Sequence, residues 1–343
     1  MKVLIIKMSS MGDVLHALPA LTDAARVFPE IKFDWVIEEN FQEIPRWHFA
    51  VNEVILFPWR RIRKKFLSKY FFEELEKFKL KLQKEKYDFI IDAQGLLKSG
   101  WVAFLAQGLR CGYDFQSSRE PAASFFYQKK FFIDKMQHAI TRTRKLFSSV
   151  LNYSYQDSLP DFGILENKIF QFKKKQEKPY VVFLHGTTWK TKLWPENHWI
   201  ELAKRLNKQG LSIKLVWWTE LEKKRALRIQ ENISDVDVLD KQNLHQMAEL
   251  FFNAAMVVSV DTGLAHLASV LGVPCISLYG PTDPKRTGTL GKNQIQLHSQ
   301  FKCAPCLQKV CHYSGFRKTD PPCFSEITAL RVEQEIKRVM YGC

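Results

Sequence analysis

No run in this chain approaches the ~18 uninterrupted apolar residues that a membrane-spanning helix needs, so none of it reads as a span. The apolar opening, Met1 to Ile6, meets a polar loop too soon to be a signal-peptide core and reads as a buried first strand. The chain is therefore expected to stay in the cytoplasm. Acidic residues are comparatively few: 36 Asp and Glu stand against 51 Lys and Arg, a net charge of +15. That surplus asks for an anionic partner, which charge alone leaves open among nucleic acid, anionic lipid and a phosphorylated or carboxylated substrate. Cysteine is too sparse for a disulfide framework, with seven in 343 residues, although four of the seven cluster late.

What is present is an ordinary globular composition, 46% hydrophobic and 25% charged. At 343 residues the chain exceeds what one hydrophobic core usually supports, so two domains are expected. Short apolar runs alternate with helical patterns, the mark of βα units and a mainly parallel sheet. Val3–Ile6, Phe33–Ile37 and Phe89–Ile91 read as strands, with a helix over Val14–Val27 after the first and a basic helical stretch over Trp59–Lys86. A second series reads as strands at Tyr180–Leu184, Ser212–Trp217, Val236–Leu239, Met256–Val260 and Cys275–Tyr279. Between the series the composition turns polar and charged. The expected division is therefore a domain over 1–155, a linker over 156–178 and a second domain over 179–325. The closing helical stretch within 326–343 is expected to pack back onto the first domain. Two doubly wound α/β domains facing a cleft are implied.

Three clusters could carry chemistry. The loop Lys7-Met8-Ser9-Ser10-Met11-Gly12-Asp13 follows the first strand, where open α/β sheets bind ligands. Gly12 permits close backbone approach. Asp13 is open to two readings, the N-cap of the following helix or a base that takes a proton from a hydroxyl. With one glycine, the loop is not a GxGxxG motif. The second cluster is His185-Gly186-Thr187-Thr188 with Lys190 and Lys192 beyond it. Hydroxyls and N–H groups ahead of a helix cradle phosphate and a lysine neutralises it, though Thr-Thr after a strand is also common turn chemistry. The third is Ser259-Val260-Asp261-Thr262-Gly263-Leu264-Ala265-His266, followed by Tyr279-Gly280-Pro281-Thr282-Asp283-Pro284. Here a strand enters a helix whose first N–H groups and positive dipole end would suit a diphosphate. A lone histidine such as His266 is more often structural.

Taken with Asp92-Ala93-Gln94-Gly95-Leu96, Phe33 to Glu39 and Arg119-Glu120-Pro121, these stretches resemble the lipopolysaccharide heptosyltransferases over nearly the whole chain. The resemblance is greatest to the member that adds the first heptose to Kdo on lipid A. It implies a GT-B fold with two Rossmann-like domains, ADP-heptose on the C-terminal one, and inversion without a required metal or other cofactor. It makes Asp13 the general base, and gives the diphosphate to Lys192, Thr187 and Thr188 with Thr262, Gly263 and Leu264. Glu222 would face the ribose, and Asp261 and His266 would complete the donor site. Ser9, Ser10 and Gly12 would meet the acceptor. No Asp-x-Asp motif adjoins either cradle, so Lys192 and a helix N-terminus would do the work of a metal's charge.

Arg60, Arg61, Arg63 and Lys64, with Lys65 and Lys69, are interleaved with Trp59, Phe66, Tyr70, Phe71 and Phe72. They could meet Kdo carboxylates, lipid A phosphates and the headgroups of the inner membrane's cytoplasmic face, where a peripheral enzyme would work. The plainer reading is a solvated helix face with its aromatics in the core. Lys98, Arg119, Glu120 and His138 are further acceptor residues on this view. Two features depart from the pattern. Trp217-Trp218 stands where relatives place a glycine. Cys303, Cys306, Cys311 and Cys323, spaced C-x2-C-x4-C-x11-C, could hold a structural Zn²⁺, though the loose last spacing favours reduced cysteines in a surface loop. Two rivals remain: the same fold adding the second heptose, and a non-catalytic basic protein binding anionic lipid or nucleic acid. Neither nucleic acid nor a defined oligomeric state is part of the favoured reading.

Overall fold

A computed structural model describes residues 1–65, 67–164, 172–173, 178–231, 233–317 and 319–342; Phe66 and most of the expected linker lie outside them. The chain divides into two compact units, Met1–Phe170 and Gln171–Cys343. The first holds β1 (Lys2–Ile6), β2 (Lys32–Glu38), β3 (Val51–Phe57), β4 (Lys86–Asp92), β5 (Gln107–Tyr113) and β6 (Lys129–Phe131). The second holds β7 (Tyr180–Leu184), β8 (Ser212–Leu215), β9 (Val236–Val238), β10 (Met256–Val260), β11 (Cys275–Tyr279) and β12 (Gln294–His298). The strand orders are β3-β2-β1-β4-β5-β6 and β12-β11-β10-β7-β8-β9, so both sheets follow the same doubly wound pattern. All the recorded pairings are parallel.

Central strands such as Val-Leu-Ile-Ile in β1 and Met256–Val260 in β10 are covered on both faces and are almost wholly apolar, as parallel sheets require. The strands that patterning passes over, β3, β5, β6 and β12, lie at or beside a sheet edge. Their half-exposed faces admit Asn52, Glu53, Gln107, Lys129, Lys130 and Gln294, which dilutes the apolar run.

The basic stretch after β3 is three pieces rather than one helix: Trp59–Ile62, a 3-10 turn over Arg63–Lys65, and a helix over Lys69–Leu82. The break falls at Leu67, whose φ is +60°. Ser68 then caps the long helix, its Oγ accepting from the Phe71 N–H at 3.2 Å. Phe71, Phe78 and Leu82 turn inward, and Phe78 packs 4.9 Å from Phe57 between ring centroids. Phe72 faces solvent.

Helix Ala329–Tyr341 was a candidate to pack onto the first domain. Its apolar stripe, Ala329, Val332 and Ile336, is instead buried in the core of the second unit with Trp199 and Leu206. Trp194 helps to anchor the turn before it, its indole N–H donating to the Ile327 carbonyl at 2.7 Å. Among the described residues no helix is long and apolar enough to cross a membrane.

In the first unit, helix Leu18–Val27 is locked to helix Ala139–Leu151 by one buried guanidinium. Arg144 donates to both Asp23 oxygens, at 2.6 and 3.2 Å, and to the carbonyls of Ser158 and Gln156. Arg144→Met is expected to cost about 3–5 kcal/mol in urea unfolding, because it strands the Asp23 carboxylate. The double variant Arg144→Met/Asp23→Leu should recover most of that loss.

Candidate functional site

Strand order reverses between β1 and β4 and again between β7 and β10. The loops leaving these pairs part in opposite directions, so the carboxyl end of each sheet has a crevice there. The first and second sequence clusters follow β1 and β7; Asp92–Gly95 and the third follow β4 and β10.

In the first unit the loops after β1 and β4 are clamped together. Gln94 Oε1 accepts from the Met8 N–H at 2.6 Å, and Lys7 Nζ donates to the Ala93 carbonyl at 2.8 Å. Asp92 Oδ1 accepts from the N–H groups of Gln94 and Gly95, while its Oδ2 accepts from Tyr127 at 2.6 Å. Gly95 has φ +67°, and a Cβ there would approach the Arg119 backbone nitrogen to 3.3 Å. The turn therefore needs glycine to bring the 114–120 loop against it. Glu120 supports the same contact, its N–H donating to Gly95 O and its carboxylate accepting from the Leu97 N–H.

Asp13 is not the N-cap. Ser10 holds that place, and Asp13 is the third residue of helix Met11–Leu15. Its Oδ2 turns back to accept from the Ser10 N–H at 3.1 Å and Ser10 Oγ at 2.9 Å. Among the described residues both hydrogen bonds to this carboxylate fall on one oxygen, leaving Oδ1 as a proton acceptor. Burial pushes the carboxyl up, but the Lys7 ammonium, the Ser10 donors and the Arg119 guanidinium outweigh it, so Asp13 ends below its ordinary value. Capping and charge are therefore both properties of one side chain. Lys7, which pattern reading leaves without a role, is drawn down by burial while Asp13 and Asp92 pull it up. A lysine closing the first strand was its only signal. Ser9 is half-buried, Ser10 exposed and Gly12 buried along this loop. His138 caps helix Ala139–Leu151, and its ring lies 5.6 Å from that of His16 between centroids, tilted by 59°.

The expected acceptor cations separate into two sets. Glu38, nearly buried at the end of β2, accepts from Lys98 and Arg60, both at 2.8 Å. Burial raises the Glu38 carboxyl, but these two cations prevail and hold it below its usual range. Arg61 pairs with Glu74 at 2.7 Å and Glu39 at 3.3 Å. These three cations are held in place by acids of the same unit. Arg63, Lys64 and Arg119 are exposed, and among the described residues no carboxylate pairs with them.

In the second unit Asp261 is the hub. Its Oδ2 lies 2.7 Å from Lys192 Nζ and accepts from Thr282 Oγ1 at 2.7 Å, while its carbonyl accepts from Thr187 Oγ1 at 3.2 Å. The Lys192 ammonium also lies 4.5 Å from the Trp189 ring centroid. One carboxylate thus ties the loops after β7, β10 and β11 around a single ammonium. Thr262 caps helix Gly263–Val270, and Thr262, Gly263 and Leu264 are half-exposed at its start, where the first N–H groups have no partner inside the helix. His266 is buried one turn further in, and Thr188 is exposed. His185 is fully buried, and desolvation, then Arg225, pushes it down to about 3, which keeps it neutral.

Glu222 has a structural task that spacing did not reveal. Its Oε2 accepts from the N–H groups of Trp218 and Thr219 at 2.7 and 2.9 Å, and Thr219 Oγ1 accepts from the Glu222 N–H, a capping box. The other oxygen faces Gly186, where an added Cβ would come within 2.5 Å of it. The cap thereby aims one carboxylate oxygen at the loop after β7. Trp217 donates to Leu239 O at 2.7 Å, and Trp218 is left 45% exposed as an aromatic face at the end of β8.

The cysteine loop leans on this cradle. The Leu307 N–H donates to Pro281 O at 2.9 Å, and Thr191 Oγ1 donates to Gln308 O at 2.6 Å. Burial, and then the neighbouring Cys306, Cys303 and Cys311, push the Cys323 thiol up to about 12. Among the described residues no three Cys, His, Asp or Glu side chains are grouped so as to hold a metal.

Residues 75–316 match the family model described as glycosyltransferase family 9 (heptosyltransferase). The chain is 43% identical to lipopolysaccharide heptosyltransferase 1 of Pseudomonas aeruginosa, over 99% of this chain and 98% of that one. It is 49% identical to lipopolysaccharide heptosyltransferase 1 of Escherichia coli K12, over 86% of this chain and 92% of that one. Among solved structures, E. coli heptosyltransferase WaaC with ADP-2-deoxy-2-fluoro heptose matches with a TM-score of 0.85 and 44% identity, covering 99% of this chain and all of that one. The two six-stranded parallel α/β domains are those of the GT-B class. On this fold, these relatives and this family match, the chain belongs to glycosyltransferase family 9, the heptosyltransferases.

Proposed function

We propose that this enzyme transfers heptose from ADP-heptose to the Kdo of Kdo-lipid A, with inversion and without a required metal, at the cytoplasmic face of the inner membrane. The observation that carries the reading is a pair of electrostatic sites of opposite sign, one in each unit. Asp13 is held ionised with one oxygen open, and Lys192 is held by Asp261 beside a helix N-terminus.

The chemistry needs both. The acceptor hydroxyl gives its proton to Asp13 as its oxygen bonds to the anomeric carbon. On the opposite face of the sugar, the bond from that carbon to the diphosphate breaks and ADP leaves with the electron pair. Lys192 has donors beyond the one aimed at Asp261, and with the first N–H groups of helix Gly263–Val270 it stabilises that charge. Thr187, Thr188 and Thr262 supply hydroxyls around the diphosphate. Glu222 Oε1, aimed past Gly186, is suited to a ribose hydroxyl, and Trp218 offers a face to the adenine. Arg119, Arg63 and Lys64 are open to carboxylate or phosphate on the acceptor, with Lys98 and Arg60 behind them.

ADP release with ADP-heptose and Kdo-lipid A tests this. Asp13→Asn should lower kcat by about 10²–10⁴-fold with donor binding retained. Lys192→Ala should lower kcat/KM for the donor by about 10²-fold. Turnover only on an acceptor already carrying heptose would assign the second transfer instead, and no ADP from either acceptor would sink the reading.

The pH profile is a separate check. Asp13 works ionised, so activity should fall only as pH drops through its lowered pKa. Removing the ammonium in Lys7→Met should move that acid limb of kcat/KM to higher pH, and Lys7→Arg should move it back. An acid limb that stays in place in Lys7→Met would show that Lys7 does not set the charge on Asp13.

A further inference from the structure

On the first unit, a patch of exposed aromatics lies outside every site described above. Phe115 is 55% exposed, Phe125 74%, Phe132 64% and Met136 69%. They come from different segments: the loop after β5, the 3-10 turn Pro121–Phe126, and the strand end and loop after β6. The segments are drawn together. The rings of Phe115 and Phe125 lie 6.2 Å apart, and the Asp114 N–H donates to Phe131 O at 3.0 Å, which brings the segment after β6 alongside the loop after β5. Ser117 Oγ accepts from the Ile133 N–H at 2.8 Å.

Cations are interleaved with these rings. Lys130 Nζ lies 5.9 Å from the Phe125 centroid, and Lys129 precedes it on the same edge strand. The nearby acids are turned to backbone: Asp114 accepts from the Ser117 N–H and Asp134 from the Met136 N–H. What faces outward is mainly apolar and cationic, with the exposed carboxylates of Asp134 and Glu120 beside it tied to backbone N–H groups. Hydrophobic side chains this exposed are costly in water, and their placement at loop tips beside lysines differs from a protein interface, whose centre is depleted of charge. Aromatic tips with lysines among them match the boundary between lipid headgroups and acyl chains, where the apolar part sinks and the ammonium reaches phosphate. The patch also lies at the carboxyl end of the sheet. Its 114–120 loop carries Arg119, whose charge acts on Asp13.

We propose that this patch is the docking face of the enzyme on an anionic bilayer, with Phe115, Phe125 and Phe132 entering the headgroup boundary and Lys129 and Lys130 meeting lipid phosphates. The proposal rests on the reading of the acceptor as lipid-anchored. It places the membrane contact at a different part of the unit from the Arg60–Lys65 stretch, where Arg60 and Arg61, like Lys98, are paired with Glu38, Glu39 and Glu74.

The test is co-sedimentation of the full chain with mixed phosphatidylglycerol–phosphatidylcholine vesicles and with phosphatidylcholine vesicles alone. Wild type should favour the anionic vesicles. Phe115→Ser/Phe125→Ser/Phe132→Ser should lose binding by about tenfold or more, and Lys129→Gln/Lys130→Gln by about fivefold for each lysine with a shallower salt dependence. All these residues are exposed, and circular dichroism of each variant should match wild type. Turnover on a water-soluble Kdo acceptor without acyl chains should be unchanged in the triple variant. The docking face is wrong if wild type ignores lipid charge, if the triple variant binds as wild type does, or if only Arg63→Gln/Lys64→Gln loses binding. It is equally wrong if light scattering shows the triple variant breaking a dimer while vesicle binding persists. Failure of wild type on both the soluble and the lipid-borne acceptor would instead remove the heptosyl-transfer reading, and the vesicle result would still judge the docking face.

Discussion

The crossovers in each sheet wind one way from the central strand and then the other, and everything in the two sites hangs on that reversal. At β1 and β4, and at β7 and β10, adjacent parallel strands end together but send their chains to opposite sides. Backbone polar groups at those strand ends have no further ladder partners, so they must be met by side chains, helix starts or ligand. In the first unit Gln94 and Lys7 bridge the gap directly. In the second, the Asp261 carbonyl takes the Thr187 hydroxyl and the Asp261 carboxylate takes Lys192. The same crevice thus acquires a carboxylate in one unit and an ammonium in the other.

Carboxylates decide which of the many cations in this chain are available. A surplus of +15 does not by itself make a binding site. Glu38 holds Lys98 and Arg60, Glu74 holds Arg61, and Asp23 holds Arg144 inside the fold. The solvent-open pairs of this kind, such as Arg61 with Glu39, contribute little to stability, typically under about 1 kcal/mol, because water screens them. Their value lies in position: an ammonium or guanidinium held by a buried acid keeps a fixed direction and pays less ordering entropy when an anion arrives. Lys192 is the extreme case, set between Asp261 and the Trp189 ring.

Much of this was legible from residues alone, for physical reasons. Strands buried on both faces are almost wholly apolar, so β1, β7, β10 and β11 announce themselves, and with them the loops that follow. The edge strands β3, β6 and β12 carry a diluted pattern that does not read as a strand, whereas the edge strand β9 does. Asp13 was open between cap and base because both roles favour a carboxylate ahead of a helix. The structure gives the cap to Ser10 and leaves Asp13 reaching back to it. Glu222 looked like a ligand residue and is also half of a capping box, which no spacing distinguishes. Lys7 is silent in the sequence because its effect on Asp13 arises across a loop, and the aromatic patch is silent because exposure is a property of the fold. Phe125 and Phe126 are neighbours of one type in the sequence, yet Phe125 is 74% exposed while Phe126 packs on the core.

That last contrast bears on how such an enzyme meets a substrate that is half sugar and half lipid. The sugar end needs fixed charge: an ionised base, oriented cations and little water. The lipid end offers no directional partner, only an apolar layer beneath anionic headgroups, and is best met by surfaces that are broad, apolar and loosely charged. The first unit presents both along the carboxyl end of one sheet. The 114–120 loop joins them: Gly95 and Glu120 pin one end of it against the loop after β4, while Phe115 stands at the other. A contact made by the aromatic tips would therefore be transmitted through a few residues of ordered backbone to Arg119, and through its charge to Asp13. On the proposed docking face, membrane contact and acceptor activation would be adjacent functions of one short segment, joined through the close approach at Gly95.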